Sequence, residues 1–297
     1  MRRPVPILCS YVLTATTVFA QTFEGNSFIA ADSGYVNVEG ERLYYEIAGK
    51  GDNIVLLHDG LIHREIWDNQ FPTLARNYRV VRYDRRGYGN SSNPQVSFSN
   101  VDDLNQLFIQ LTIGKAIVFG MSAGGGIAID FTLKYPDKVT ALVLVGAVVS
   151  GYGYSSHMLS RGGRISSFAE LLSDPQQFIR YIGCEDPYEI APANVMAKEK
   201  CLKLLEANPI NVNQEKVKYI KPADRPAVRF LSEIRVPTLI LVGEYDIPDV
   251  HAHAGAINAG IANSKRDIVP KSGHLIPIEQ PVLFNEAVMR FLTGLAH

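Results

Sequence analysis

Little in this chain points to a metal, a nucleotide or a nucleic acid. It holds only three cysteines, and Cys9 falls in a leader-like stretch, so Cys184 and Cys201 remain for the body of the chain. Two thiols do not make a zinc site of the usual kind. The formal net charge is −1 at pH 7, which supplies no electrostatic attraction for a nucleic-acid partner. No Gly-x-Gly-x-x-Gly follows a strand pattern, and no Gly-x-x-x-x-Gly-Lys-Ser/Thr occurs, so the dinucleotide and P-loop signatures are missing. Past the leader no apolar run is long enough to span a bilayer, and there is no internal repeat or low-complexity tract.

The first twenty residues have a composition of their own. Arg2 and Arg3 precede the uncharged run Ile7–Phe19, and Val18-Phe19-Ala20 ends it with a small residue before Gln21. This is the three-part layout of a signal peptide, and the apolar run is shorter than a spanning helix needs. Residues 1–20 are therefore expected to be cleaved, leaving an exported protein, periplasmic or secreted, with no stable membrane insertion. Residues 21–33 read as a flexible mature N-terminus. In an oxidising compartment Cys184 and Cys201, 17 positions apart, are expected to pair. The closed loop would contribute about 3 kcal/mol in the chain-entropy picture.

Hydrophobic residues make up 46 % of the chain and charged residues 20 %, enough for a full core. Gly34–Val38 and Glu41–Ala48 read as a hairpin around Glu39-Gly40. The runs Asn53–Leu57, Lys115–Phe119, Thr140–Gly146 and Val236–Val242 read as buried strands, with Tyr78–Tyr83 and Arg266–Val269 as further strands. Helical periodicity falls at 101–112, 127–135, 250–262 and 281–293. Strand alternating with helix predicts an α/β fold: a mostly parallel central sheet with helices on both faces. The alternation stops near Ser150 and resumes at Val236. The chain therefore divides into a core of 34–149 and 233–297 and an inserted helical cap of 150–232, with a helix at 192–207.

The core carries the chemistry. Gly120-Met121-Ser122-Ala123-Gly124 places a serine on a sharp turn between a strand and a helix, where the helix dipole and free N–H groups suit a developing oxyanion. Gly243-Glu244-Tyr245-Asp246 follows another strand, which puts a carboxylate at the sheet edge where α/β proteins build sites. Asp246 is the candidate acid, with Glu244 and Asp249 as rivals. Ser272-Gly273-His274 follows the last strand and offers a base. The order Ser122, Asp246, His274, with spacings of 124 and 28, is the order of a nucleophile–acid–base set on this kind of sheet. His58-Asp59-Gly60 ends an earlier strand, and its backbone can supply an oxyanion N–H beside that of Ala123.

These motifs, with Leu57-His58…Trp67 and Asp84-x-Arg86-Gly87-x-Gly89-x-Ser91, resemble the α/β-hydrolase superfamily in its serine-nucleophile branch with a helical cap. The likeness covers residues 34–293. It implies Ser122 as nucleophile, Asp246 as acid, His274 as base, and Gly60 and Ala123 as oxyanion-hole donors. Asp59 departs from the glycine usual after the first-strand histidine. That leaves open whether Gly60 or Leu61 donates, and Asp59 is expected to point outward or be tied by Arg64, Arg85 or Arg86.

A serine at the elbow suits acyl transfer, whereas epoxide- and halide-cleaving relatives use aspartate. The expected function is hydrolysis of small to medium carboxylic esters or lactones through an acyl-enzyme, with a small-molecule substrate, no cofactor and no metal. The alternatives are carbon–carbon bond hydrolysis of diketone-like compounds and a non-catalytic binding protein on the same fold. His251 and His253 alternate on a helix start and do not suggest a metal site. Residues 196–229, with eight Lys/Arg against four acids, read as a solvated cap face. Tyr152, Tyr154 and Tyr181 are candidates for lining a pocket.

Overall fold

The computed structural model of the protein describes residues 31–160, 174–182, 186, 191 and 194–295. Eight strands form one sheet in the order β1-β2-β4-β3-β5-β6-β7-β8. They are β1 (Asp32–Val38), β2 (Glu41–Ala48), β3 (Asn53–Leu57), β4 (Arg79–Tyr83), β5 (Ala116–Met121), β6 (Val139–Val145), β7 (Thr238–Gly243) and β8 (Ser264–Val269). The β1–β2 and β2–β4 pairings are antiparallel, and all pairings from β4 through β8 are parallel. The predicted fold class therefore stands: an α/β-hydrolase fold on a mostly parallel sheet.

Alternate residues of each inner strand enter opposite cores. Ile54 and Leu56 join one apolar cluster and Val55 and Leu57 the other, as a period of two requires. Strands β5 and β7 are buried at every position, while β8, at the edge, exposes Lys265, Arg266 and Ile268. The strands begin and end within two residues of the predicted runs. One boundary moves: β1 starts at Asp32, so residues 32 and 33 belong to the hairpin and not to a flexible N-terminus. Residues 1–30, the leader and most of that segment, lie outside the described residues.

Among the described residues the longer helices are α1 (Asn100–Gln110), α2 (Ala123–Lys134), α3 (Val195–Ala207), α4 (Pro248–Gly260) and α5 (Pro281–Gly294). Ser99 caps α1 by accepting from the Asp102 N–H at 3.2 Å. Helix α2 begins directly at Ala123 after β5, so only Ser122 separates strand from helix.

Between β6 and β7 the regular elements among the described residues are helical: Ser156–Leu159, Pro175–Arg180, α3 and short 3-10 turns from Pro209 to Glu233. This segment is fastened to the core above β3 and β4. Asn211 Nδ2 lies 3.1 Å from His63 Nδ1, and its Oδ1 accepts from the Gly89 N–H at 3.0 Å. Lys200 pairs with Asp68 at 3.1 Å. The segment is not a wholly solvated basic face. Lys216 is buried, and its ammonium donates to the carbonyls of Gly87, Ile210 and Asn211 and lies 3.4 Å from the centre of the Tyr88 ring. Burial, with Arg85 nearby, pushes its pKa down to about 6.

Cys201 is a buried free thiol on α3, and Cys184, its expected partner, lies outside the described residues. No helix among the described residues is long and apolar enough to cross a membrane.

Candidate active site

Ser122 sits at φ +52°, ψ −115°, a left-handed conformation that costs a non-glycine residue energy and persists only where its surroundings enforce it. Those surroundings are the ends of β3 and β6. The Ser122 N–H donates to Val145 O at 2.9 Å, and Ser122 O accepts from the N–H groups of Gly125, Gly126 and Val148. Gly124 packs so closely on β3 that a Cβ there would lie 2.4 Å from His58 O and 2.8 Å from Leu57 O. Both are backbone atoms that cannot move aside cheaply, so the start of α2 is pressed onto the end of β3.

Asp246 and His274 come together as the motif order predicts. His274 Nδ1 lies 3.0 and 3.1 Å from the two carboxylate oxygens of Asp246. The Ile247 N–H donates to Asp246 Oδ1 at 2.8 Å, which orients the carboxylate. The rivals are occupied elsewhere: Asp249 accepts from Ser155, and Glu244 accepts from the Lys271 N–H. With Nδ1 engaged, Nε2 is the nitrogen of His274 that has no partner among the described residues. Burial opposes the imidazolium, but Asp246, followed by Asp59 and Glu279, outweighs it and raises the His274 pKa.

Gly146 links this pair to the elbow. It has φ +51°, and a Cβ on it would meet His274 Nδ1 at 3.0 Å and Asp246 Oδ2 at 3.2 Å. The same β6 terminus, through Val145 and Val148, holds the Ser122 backbone. No hydrogen bond joins Ser122 Oγ to His274 in this arrangement. Such bonds are often long without substrate and tighten when it binds.

The facing loop follows β3. His58 is buried, with Nδ1 donating to Asp59 O at 2.8 Å and Nε2 accepting from the Arg85 N–H at 3.0 Å. Burial and the Arg85 charge hold its pKa well below the usual histidine value, so it is a neutral structural residue. The expectation for Asp59 needs correction. It points neither to solvent nor to an arginine side chain. Its Oδ1 accepts from the N–H groups of Leu61 and Ile62, and Arg85 bonds its backbone carbonyl instead. Arg64 pairs with Asp84 and Glu46, and Arg86 with Asp103 and Glu41. Leu61 N–H is thereby occupied. The N–H groups of Gly60 and Ala123 have no partner among the described residues, and a Cβ on Gly60 would touch Ala123 Cβ at 3.7 Å.

Glu279 was not anticipated. It is 3 % exposed, and both its carboxylate oxygens lie 3.0 Å from the Gly273 N, so it steadies the turn that presents His274. Burial pushes its pKa up to about 7 despite that bond. No sequence signal marks it, because the contact depends on how the short helix Ile276–Glu279 folds back.

A cavity of 440 Å³ lies along α2, the chain after β6, and residues 220–225. It reaches the site through Ala123 and Val148; Ser122 and His274 do not line it. Tyr152 and Tyr154 do line it, whereas Tyr181 is packed in the core. His253 is buried beneath those two tyrosine rings, and its Nδ1 accepts from the Val149 N–H at 3.1 Å. Among the described residues no cluster of side chains has the makings of a metal site.

Comparison with known proteins agrees with this architecture. The model of the alpha/beta hydrolase family matches residues 54–287. A Bacillus subtilis (strain 168) protein named for 2-succinyl-6-hydroxy-2,4-cyclohexadiene-1-carboxylate synthase activity is 27 % identical over 88 % of this chain and all of its own length. The 2-hydroxy-6-oxononadienedioate/2-hydroxy-6-oxononatrienedioate hydrolase of Escherichia coli (strain K12) is 30 % identical over 89 % of this chain and 96 % of its own. The solved structure of a thermophilic esterase from Thermogutta terrifontis superposes with a TM-score of 0.72 at 26 % identity, covering 89 % of this chain and 99 % of the esterase. With the family match spanning most of the sheet and the elbow, this chain belongs to the alpha/beta hydrolase family and is a hydrolase.

Proposed function

We propose that the protein is an exported serine hydrolase that cleaves small to medium carboxylic esters or lactones. One observation carries the reading: a buried Asp246–His274 pair and a serine at a strained strand-to-helix turn are both held at the end of β6. His274 Nε2 takes the Ser122 hydroxyl proton as Oγ attacks the substrate carbonyl. The Ala123 and Gly60 N–H groups receive the developing oxyanion. Asp246 keeps the imidazole oriented and stabilises its protonated form. His274 then protonates the leaving alkoxide, and an acyl-enzyme remains until water, activated by the same imidazole, releases the acid. The cavity beside Ala123 falls within the ~300–1,000 Å³ usual for small-molecule sites, and it suits the part of the substrate that does not react.

Purified protein should hydrolyse short p-nitrophenyl esters. Ser122→Ala should lower kcat by about 10³-fold or more, and undiminished turnover in that variant would rule out the serine mechanism. The pH dependence has a definite sign. A base must be neutral to accept a proton, and the His274 pKa is raised above 6.5. The acidic limb of kcat/KM should therefore lie above pH 6.5, with activity lost as pH falls through it. The leader Arg2–Ala20 supports export. N-terminal sequencing of the mature protein should start at Gln21, and a chain starting at Met1 after export conditions would refute cleavage.

The 30 % identity to the Escherichia coli hydrolase favours a second reading, carbon–carbon bond hydrolysis of a diketone-like substrate. The same serine, histidine and oxyanion donors serve it. A panel pairing simple esters with a vinylogous diketo acid separates the two, since only a carbon–carbon hydrolase turns over the compound that lacks an ester bond.

A further inference from the structure

The 440 Å³ cavity that starts at Ala123 is a cleft with fixed walls. One wall is a face of α2, where Ala123, Gly126, Ile127, Asp130 and Lys134 recur at helical spacing and form a stripe. The chain after β6 runs beside that stripe. Val148 N–H donates to Ser122 O, a Cβ on Gly126 would lie 3.3 Å from Val148 O, and Ser150 Oγ donates to Asp130 Oδ1 at 3.0 Å. Residues 220–225 complete the lining. Backbone bonds from Phe98 to Tyr219 and from Lys221 to Phe98 tie one end of that segment, and the N–H groups of Ala227 and Val228 tie the other to Ser150.

The lining changes character along its length. Next to Ala123 it is apolar, with Gly126, Ile127, Val148 and Val149. Polar side chains begin at Asp130, nearly two helical turns on, about 10 Å from Ala123 along the helix axis. Most polar groups there are already engaged. Lys134 pairs with Asp102 at 2.8 Å and Arg225 with Glu233. Val149 N–H donates to His253, and Ser150 accepts from Ala227 and Val228. Asp130 is the exception. Its Oδ1 takes the Ser150 hydroxyl, while its Oδ2 has no partner and no cation pairs with it among the described residues. Burial, followed by nearby Asp224, pushes its pKa up to about 6 although the Ser150 bond opposes this.

The charges around Asp130 select its partner. An anionic group would meet the carboxylates of Asp130 and Asp224, and a cationic one would join Lys134, Lys221 and Arg225, which line the same cleft. A methyl group would desolvate the Asp130 oxygen without pairing it. A hydroxyl donates a hydrogen bond and brings no charge. We propose that this cleft selects esters whose non-reacting arm is an unbranched aliphatic chain of about eight carbons ending in a hydroxyl, which donates to Asp130. This assignment rests on the reading of Ser122 as nucleophile, since a carbonyl held beside Ser122 and Ala123 sets the near end of the chain.

The test compares p-nitrophenyl esters whose acyl chains match in length and differ only at the far end. The 8-hydroxyoctanoyl ester should exceed the nonanoyl ester, in which methyl replaces hydroxyl, by about tenfold in kcat/KM, mainly through KM. The counterparts ending in ammonium and in carboxylate should both fall below the hydroxyl ester. Equal rates for hydroxyl and methyl, or a preference for either charged end, overturns the proposal. In Asp130→Val the hydroxyl preference should vanish, and in Asp130→Asn, which keeps an acceptor oxygen, part of it should return. A preference that survives Asp130→Val places the hydroxyl elsewhere and overturns the assignment. Melting curves are recorded for both variants, and if Asp130→Val does not fold, the ester panel on the parent decides. A binding measurement keeps this claim apart from the serine mechanism. Ser122→Ala is titrated with methyl 8-hydroxyoctanoate and with methyl nonanoate and followed by amide NMR, and the hydroxy ester should bind about tenfold more tightly. If the parent hydrolyses none of the esters while that difference stands, the serine reading fails and the role of Asp130 holds. If the parent hydrolyses them and the difference is absent, the role of Asp130 fails and the serine reading holds.

Discussion

The two sides of the site do the same job by different physics. On the Ser122 side, two glycines leave no room for a side chain: Gly124 lies on the backbone carbonyls of Leu57 and His58, and Gly146 lies against the side chains of His274 and Asp246. On the side after β3, the chain is held by polar side chains. Asp59 ties Leu61 and Ile62, His58 ties Arg85, and Arg64 binds Asp84 through both its backbone N–H and its guanidinium. The first side tolerates no added atom. The second tolerates changes in shape but not the loss of a partner, because each buried polar group depends on another.

Substitutions that attack one side at a time sharpen this contrast. The largest effect is expected from Arg64→Met on the polar side. It strips the buried Asp84 carboxylate of its cation, with Glu46 keeping Arg82. Unfolding by denaturant should show a loss of about 3 kcal/mol, at the low end for breaking a buried pair. A loss under ~0.5 kcal/mol would mean the polar loop is held by something else.

Gly124→Ala attacks the close-packed side. Its methyl would strike backbone carbonyl oxygens of β3, so α2 must move and carry Ser122 and the Ala123 N–H with it. A displacement near 1 Å costs about 100-fold in kcat, or ~2.7 kcal/mol. Ester kinetics that match the parent would show that the elbow has slack.

The smallest effect is expected from Lys216→Met, which releases the 209–221 segment from the core by leaving three carbonyls without their donor. Relief of a desolvated ammonium, whose pKa burial pushes down to about 6, offsets part of this. A net loss of about 1 kcal/mol is expected. Faster proteolytic nicking within 209–221 would reveal it, and an unchanged cleavage rate would show that Asn211 and Lys200 suffice.

The same contrast explains what could be read ahead of the fold. The close-packed side was legible because Gly120-x-Ser122-x-Gly124 falls between an apolar strand run and a helical pattern, the context of a tight strand-to-helix turn. Asp246 and His274 were legible because each follows a strand, and a parallel sheet gathers all such positions along one edge. The polar side was not legible. Arg64, Arg85 and Arg86 lie within a few residues of motifs and were each a fair partner for Asp59, yet their partners are Asp84, the Asp59 backbone and Asp103. Long side chains with several rotamers choose among acids only once the loops are packed. Lys216 shows the same thing in the cap: a lysine in a charged stretch is solvated by default, and only the fold of 209–219 buries it.

From sequence alone came the alternation of apolar strands and amphipathic helices, the split core with its inserted segment, and the ordered Ser122, Asp246 and His274. These are local signals, set by backbone conformation and by what each strand must bury. Tertiary structure alone decided that the Gly60 N–H has no partner among the described residues while that of Leu61 has one, that Glu279 steadies the His274 turn, and that Tyr181 belongs to the core. Those outcomes depend on which distant groups meet in a buried, low-dielectric space, where one hydrogen bond made or missed outweighs any local preference.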